Sequence, residues 1–246
     1  MNELIQRFAI NNTGRDFVVG DIHGCFSYLE IILETLDFDT NRDRLFSVGD
    51  LVDRGPESAR ALEFLAHPWF HAIRGNHEMF LLETDFQDPR AVALWRANGG
   101  SWWFEQPPAL KEQIRAAVVK LPYVIEVETN RGIVGIVHAD VPRYFNWTAF
   151  IDEVETGTSE VLDIAVWSRL RAEGRWPHGV EGVYRVFIGH TPHWGEIFRV
   201  GNVFCIDTGA VFGLEYGIPN ACLTTMELTG IETYSQPVTP ASLAKR

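Results

Sequence analysis

The chain has 246 residues, of which 46% are hydrophobic, and it carries 33 acidic against 21 basic side chains for a formal net charge of −12. That length and apolar content suffice for one large α/β domain with a substantial core. The acidity leaves no broad basic surface for a phosphate backbone, so nucleic acid is not an expected partner.

The N-terminal stretch MNELIQRFAINNTGRD lacks the apolar segment of a secretory signal, and no apolar run reaches spanning length, so no membrane partner is expected. From there, short β-branched or apolar runs recur along the chain: DFVVG, RLFSVGD, HAIRGN, GIVGIVHAD, YRVFIGHTP, NVFCIDTGAV and ACLTTMEL. They read as strands, several of them buried on both faces. Between the first two, Phe26, Leu29, Leu33 and Leu36 keep helical spacing, and Pro56 opens a further helix with Ala59, Leu62 and Leu65 on its apolar face. A β-α-β-α-β order follows for the N-terminal half. Residues 77–121 read as mostly helical, broken by Asn98-Gly99-Gly100, and residues 147–170 read as helical before strands take over. One domain is expected over residues 1–246, with a loose tail from about residue 235 to 246, where the sequence reads SQPVTPASLAKR. Cys25, Cys205 and Cys222 show no C-x-x-C pairing, a pattern that fits a reducing cytoplasm.

Five of the apolar runs end in residue types that bind hard or borderline cations: Asp21 and His23 in GDIHG, Asp50 in SVGD, Asn76 and His77 in RGNHE, His138 in VHAD, and His190 in GHTP. Ligands of open α/β sheets bind beyond the carboxyl ends of the strands, so these side chains are placed to converge. One histidine after a strand carries little information. The same pattern at five strand ends predicts a metal site.

GDIHG, GDLVDRGPES and RGNHE in that order, followed by VHAD and GHTP, resemble the signature of the metallophosphoesterases, and within them the phosphoprotein phosphatase branch of bacterial and lambda-phage serine/threonine protein phosphatases. The resemblance runs from about Asp16 to Thr229. It implies a calcineurin-like α/β sandwich of two mixed β-sheets flanked by helices. It also implies a dinuclear centre, with one metal on Asp21, His23 and Asp50 and the other on Asp50, Asn76, His138 and His190. Ligands of nitrogen and oxygen without thiolate suit manganese, iron or zinc, and manganese is the first expectation. The implied reaction is hydrolysis of phosphoserine and phosphothreonine in proteins, with phosphotyrosine as a further substrate, by direct attack of a metal-bridging hydroxide. Arg54 and Arg169 resemble the family's phosphate clamp, with Arg171 and Arg175 as competitors for the second place. Asp53 and His77 resemble its acid pair.

Two departures narrow the transfer. VHAD differs from the His-Gly-Gly of eukaryotic members, and no counterpart of their regulatory C-terminal loop is visible, so their docking and inhibitor-binding properties are not carried over. The alternative activity is a symmetrical diadenosine tetraphosphate hydrolase, which shares GDIHG and the metal ligands but tends to carry Ala at the place of Asp53 and GNHD at the place of GNHE. A catalytically silent phosphate-binding module is disfavoured by the full ligand set. Trp102, Trp103 and Phe104 read as packing of a helical cap, with a substrate-facing wall as the alternative. His67, His71, His178 and His193 read as surface or loop residues.

Overall fold

The computed structural model describes residues 3–239. Its strands are β1 (Ile5–Phe8), β2 (Asp16–Val19), β3 (Arg44–Ser47), β4 (Phe70–Ala72), β5 (Val124–Thr129), β6 (Gly132–Val137), β7 (Arg185–Ile188), β8 (Phe198–Val200), β9 (Val203–Cys205), β10 (Cys222–Glu227) and β11 (Thr233–Pro237). They form two mixed sheets, one ordered β1-β5-β6-β7-β9-β8 and the other β11-β10-β2-β3-β4. In the second sheet β2, β3 and β4 run parallel, and in the first β6, β7 and β9 do.

The period of two in each strand decides how the layers stack. In β2, Val18 faces the opposite sheet while Phe17 and Val19 face helices, and in β7 Phe187 faces inward while Val186 and Ile188 face outward. Phe46, Ile125, Val134, Ile136 and Phe204 complete the dry layer between the sheets. Each such side chain contributes about 1.5–3 kcal/mol of burial, so this layer locks the sheets face to face. On the outside of the five-stranded sheet pack α1 (Phe26–Thr35) and α2 (Ala61–Leu65). Next come α3 (Asn76–Glu83), then α4 (Pro89–Trp95) and α5 (Ser101–Glu105), separated by a kink, and α6 (Pro108–Val118). The six-stranded sheet is covered by α7 (Trp147–Thr156) and α8 (Ser159–Trp167), and a short α9 (Phe212–Glu215) follows β9.

The break expected at Asn98-Gly99-Gly100 is real, since Gly99 takes φ +100°, a left-handed value, inside the turn from α4 to α5. The helix expected after Pro56 begins as a 3₁₀ turn at Ser58–Arg60 before α2. The expected tail begins later than residue 235, because Ser235, Gln236 and Pro237 pair with Thr224, Leu223 and Cys222 at the sheet edge and Val238 is fully buried. Its remaining part, 240–246, lies outside the described residues. Among the described residues no helix is long and apolar enough to cross a membrane.

Candidate active site

Because β2, β3, β4, β6 and β7 all end at one rim of the sandwich, the residues just beyond them meet. His23, Asp50 and His77 offer ligand atoms within 4.8 Å of one another, and so do Asp50, His138 and His190, with Asp50 common to both groups. The backbone is bent to achieve this. Among the described residues seven non-glycine residues have left-handed φ, and five of them are His23, Asp50, Asp53, Arg54 and His190. Such conformations cost on the order of 1–3 kcal/mol each and persist where the surroundings dictate them. Glycines before two strand-end residues serve close approach: a Cβ on Gly189 would strike Asp21 Oδ1, and one on Gly75 would strike the Asp50 carboxylate.

Glu78, fully buried in the first turn of α3, is a residue whose role sequence reasoning missed although RGNHE displays it. Its carboxylate accepts from the N–H of Gly75 at 2.7 Å, Asp50 at 2.8 Å and Leu51 at 2.9 Å, so one side chain caps α3 and shapes the turn after β3. Backbone bonds from Ile22 and His23 to the Asp50 carbonyl tie the loops after β2 and β3 together.

Three imidazoles share one arrangement. His23 donates from Nδ1 to the Val52 carbonyl at 2.9 Å, His138 from Nδ1 to that of Val48 at 2.7 Å, and His190 from Nε2 to that of Trp167 at 3.1 Å. In each ring the other nitrogen, turned inward, is left with a lone pair for a cation. Burial, reinforced by His77, pushes His23 down to about 3, and burial also lowers His138 and His190, so all three are neutral ligand types. Asn76 Oδ1 sits 3.0 Å from His138 Nε2 and 2.7 Å from His190 Nδ1. Burial opposes ionisation of Asp50, but attraction to the imidazoles around it, of which His77 is the one favoured in its protonated form, holds the carboxylate low.

His77 is different. Its Nδ1 lies 2.8 Å from Asp53 Oδ2, a carboxylate rather than a carbonyl, and although burial works against a charged ring, Asp50 and Asp53 outweigh it and raise its pKa. Its Nε2 faces Asp50 Oδ2 at 4.0 Å, which is why it also falls within ligand range. Asp21 stands outside both ligand groups, but it supplies the test of fit. Oδ2 accepts from the His190 N–H at 2.9 Å, whereas Oδ1 is buried and has no hydrogen-bond partner. A buried, unpartnered carboxylate oxygen beside two nitrogen-rich groups fits a cation.

The arginines separate clearly. Arg54 donates from its backbone to Gly99 at 3.1 Å, stacks over Phe212 at 5.0 Å and reaches Glu215 at 3.4 Å, so Asp53 and Arg54 do not pair with each other. Arg169 bonds the His190 carbonyl at 2.7 Å and Thr191 Oγ1 at 3.1 Å, at the rim of the ligand groups. Arg171 is buried in an ion pair with Asp140, and Arg175 is exposed and paired with Glu173, so neither is turned to the rim. Trp102 packs against the core beside Trp103, as the packing reading expected, and in addition its indole N–H donates to Asp53 Oδ1 at 2.6 Å. His71 is half-buried in β4 against Phe8 and Phe46, where its alternation with Phe70 and Ala72 turns it, so it is not a loop residue.

Known proteins resemble the chain in sequence and in fold. A serine/threonine-protein phosphatase 1 of Salmonella typhimurium is 38% identical over 86% of this chain and 94% of its own. A symmetrical bis(5'-nucleosyl)-tetraphosphatase of Methylococcus capsulatus is 28% identical over 90% of this chain and 94% of its own. The solved structure of a Saccharomyces cerevisiae protein serine/threonine phosphatase superposes with a TM-score of 0.58 at 16% identity, covering 94% of this chain and 85% of that one, a likeness of fold. The family model for calcineurin-like phosphoesterases matches residues 17–211, from the first residues of β2 to the turn before α9. With that match spanning all five strand ends, the chain belongs to the calcineurin-like phosphoesterase family.

Proposed function

We propose that the chain is a protein phosphatase hydrolysing phosphoserine and phosphothreonine, with phosphotyrosine as a further substrate, and that Asp21, His23, Asp50, Asn76, His138 and His190 hold two transition-metal ions, Asp50 being shared. Manganese is the first expectation, with iron or zinc as alternatives, because the donors are imidazole, carboxylate and amide oxygen without thiolate. Bound there, two divalent cations would polarise the phosphoryl oxygens and make water a stronger nucleophile.

The chain's own residues supply the rest. Arg54 and Arg169 hold the phosphoryl oxygens through guanidinium groups that keep their charge, Arg54 turning from its long contact with Glu215. His77 gives a proton from Nε2 to the leaving oxygen while Asp53 holds Nδ1. A seryl alkoxide leaves poorly without that proton. The observation that carries the reading is the buried His77 to Asp53 pair, 2.8 Å apart, beside the carboxylate common to both ligand groups. His77 is kept apart from the ligands because His23, His138 and His190 each donate to a backbone carbonyl, whereas His77 faces a carboxylate.

We read residues 1–246 as one domain, and place it in the cytoplasm on the ground that Cys25, Cys205 and Cys222 are free and buried. The test is kcat/KM measured side by side on a phosphoserine peptide and on diadenosine tetraphosphate with the same metal. The peptide is expected to be the better substrate. Preference for the dinucleotide would replace this reading with that of a symmetrical diadenosine tetraphosphate hydrolase, in line with the likeness to the symmetrical bis(5'-nucleosyl)-tetraphosphatase of Methylococcus.

A further inference from the structure

Asp53 is fully buried and accepts hydrogen bonds from three side chains: Trp102 Nε1 on Oδ1 at 2.6 Å, and both Trp95 Nε1 and His77 Nδ1 on Oδ2 at 2.8 Å. The two indoles lie on either side of the Asn98-Gly99-Gly100 break. That break is itself fitted to the same turn, for the Gly99 carbonyl accepts from the Arg54 N–H at 3.1 Å, and a Cβ on Gly99 would lie 2.6 Å from that nitrogen. A Cβ on Gly100 would overlap the Trp95 ring. Asp53 and Arg54 are both left-handed, at φ 71° and 67°, so the turn they form needs outside support.

We propose that Trp95 and Trp102 are positioning residues of the hydrolysis step, their indole N–H groups fixing the Asp53 carboxylate so that it aims His77 Nε2 at the leaving oxygen. This rests on the reading of His77 as the proton donor. The choice of indole has a chemical reason. An arginine or lysine in the same place would hold Asp53 equally well, but its charge would repel a protonated imidazole across the carboxylate. A neutral N–H donor fills both carboxylate oxygens and leaves the negative charge facing His77. Packing alone needs no nitrogen, and two tryptophans from separate helices converging on one carboxylate satisfy it more completely than packing requires.

The experiment compares Trp102→Phe, Trp103→Phe and His77→Asn on a phosphoserine peptide and on p-nitrophenyl phosphate, whose leaving group departs without a proton. Trp102 is the choice because it is half-buried and the ring survives the change, whereas Trp95 is fully buried. Trp102→Phe is expected to lower kcat on the peptide about tenfold, the loss typical of one hydrogen bond to a charged acceptor, with a much smaller change on p-nitrophenyl phosphate and unchanged metal content. Trp103→Phe should leave the ratio of the two rates as it was. In a His77→Asn background, Trp102→Phe should add no further loss on the peptide, because the groups act as one unit. Equal losses on both substrates in Trp102→Phe, or full additivity with His77→Asn, would overturn the proposal while leaving the His77 reading intact. A His77→Asn protein without leaving-group selectivity would overturn both.

Discussion

Asp50 and Asp53 are three residues apart and both buried, yet the two regions around them are built by different means. Asp50 stands where strands from both sheets end, and the groups around it are fixed by backbone: carbonyls of Val48, Val52 and Trp167 orient imidazoles, and N–H groups of Gly75, Asp50 and Leu51 are gathered by Glu78. Asp53 is held by side chains arriving from a helical cap, two indoles and one imidazole. On the proposed reading, the difference teaches how one short turn serves two tasks. A cation site needs neutral imidazole lone pairs held rigidly, which backbone carbonyls provide, whereas a proton donor needs a carboxylate behind it.

The largest break should come on the Asp50 side. Chelation, or Asp50→Asn, should abolish phosphatase activity on every substrate, and Asp50→Asn should bind less metal than the unchanged chain, because the one carboxylate common to both groups is weakened. Full activity after complete chelation would remove the metal reading. Next comes the Asp53 side, where His77→Asn should slow phosphoserine peptide hydrolysis by about 10²–10⁴-fold, and p-nitrophenyl phosphate far less. Arg54→Ala should have a smaller effect, raising KM and lowering kcat with both metals retained, since on the proposed reading the guanidinium holds the phosphoryl group and its contacts in the structure, with Phe212 and Glu215, lie outside the ligand groups. Metal loss in Arg54→Ala would show that the turn is a single structural unit and the contrast with Asp50 is misplaced.

The smallest effect expected is on stability, away from both regions. Burial and the neighbouring Arg44 push His71 down to about 4, so its folded pKa lies below the unfolded value near 6.5. The unfolded chain therefore takes up this proton first as pH falls, and stability is lost from about pH 6.5 down towards 4. His71→Phe should flatten the fall in Tm across that window. An unchanged slope would show that the ring is solvated.

The Asp50 region was legible in the sequence because strand, glycine and ligand follow one another in short punctuated motifs, and topology alone brings such strand ends together. Three of the four edge strands were not, since β1, β8 and β11 span only 4, 3 and 5 residues and are partly exposed, with no run of apolar residues to announce them, whereas the edge strand β4 was announced by HAIRGN. β5 escaped notice for another reason: its Val-Ile-Glu-Val-Glu-Thr closely follows a helical stretch and lacks a glycine boundary. The contacts of Asp53 were illegible because they depend on the angle between α4 and α5, set by one left-handed glycine, and on which way two indoles then point. Arg169 was distinguishable from Arg171 only once Asp140 was seen to bury the latter.

The most direct test is elemental analysis of metal per chain in the unchanged protein, in Asp50→Asn and in His77→Asn, each after reconstitution with manganese and removal of free metal. We expect two ions per chain in the unchanged protein and in His77→Asn, and fewer in Asp50→Asn, since Asp50 belongs to both ligand groups and His77 is turned to Asp53. Loss of an ion in His77→Asn, with Asp50→Asn keeping both, would contradict the division of labour between the two carboxylates.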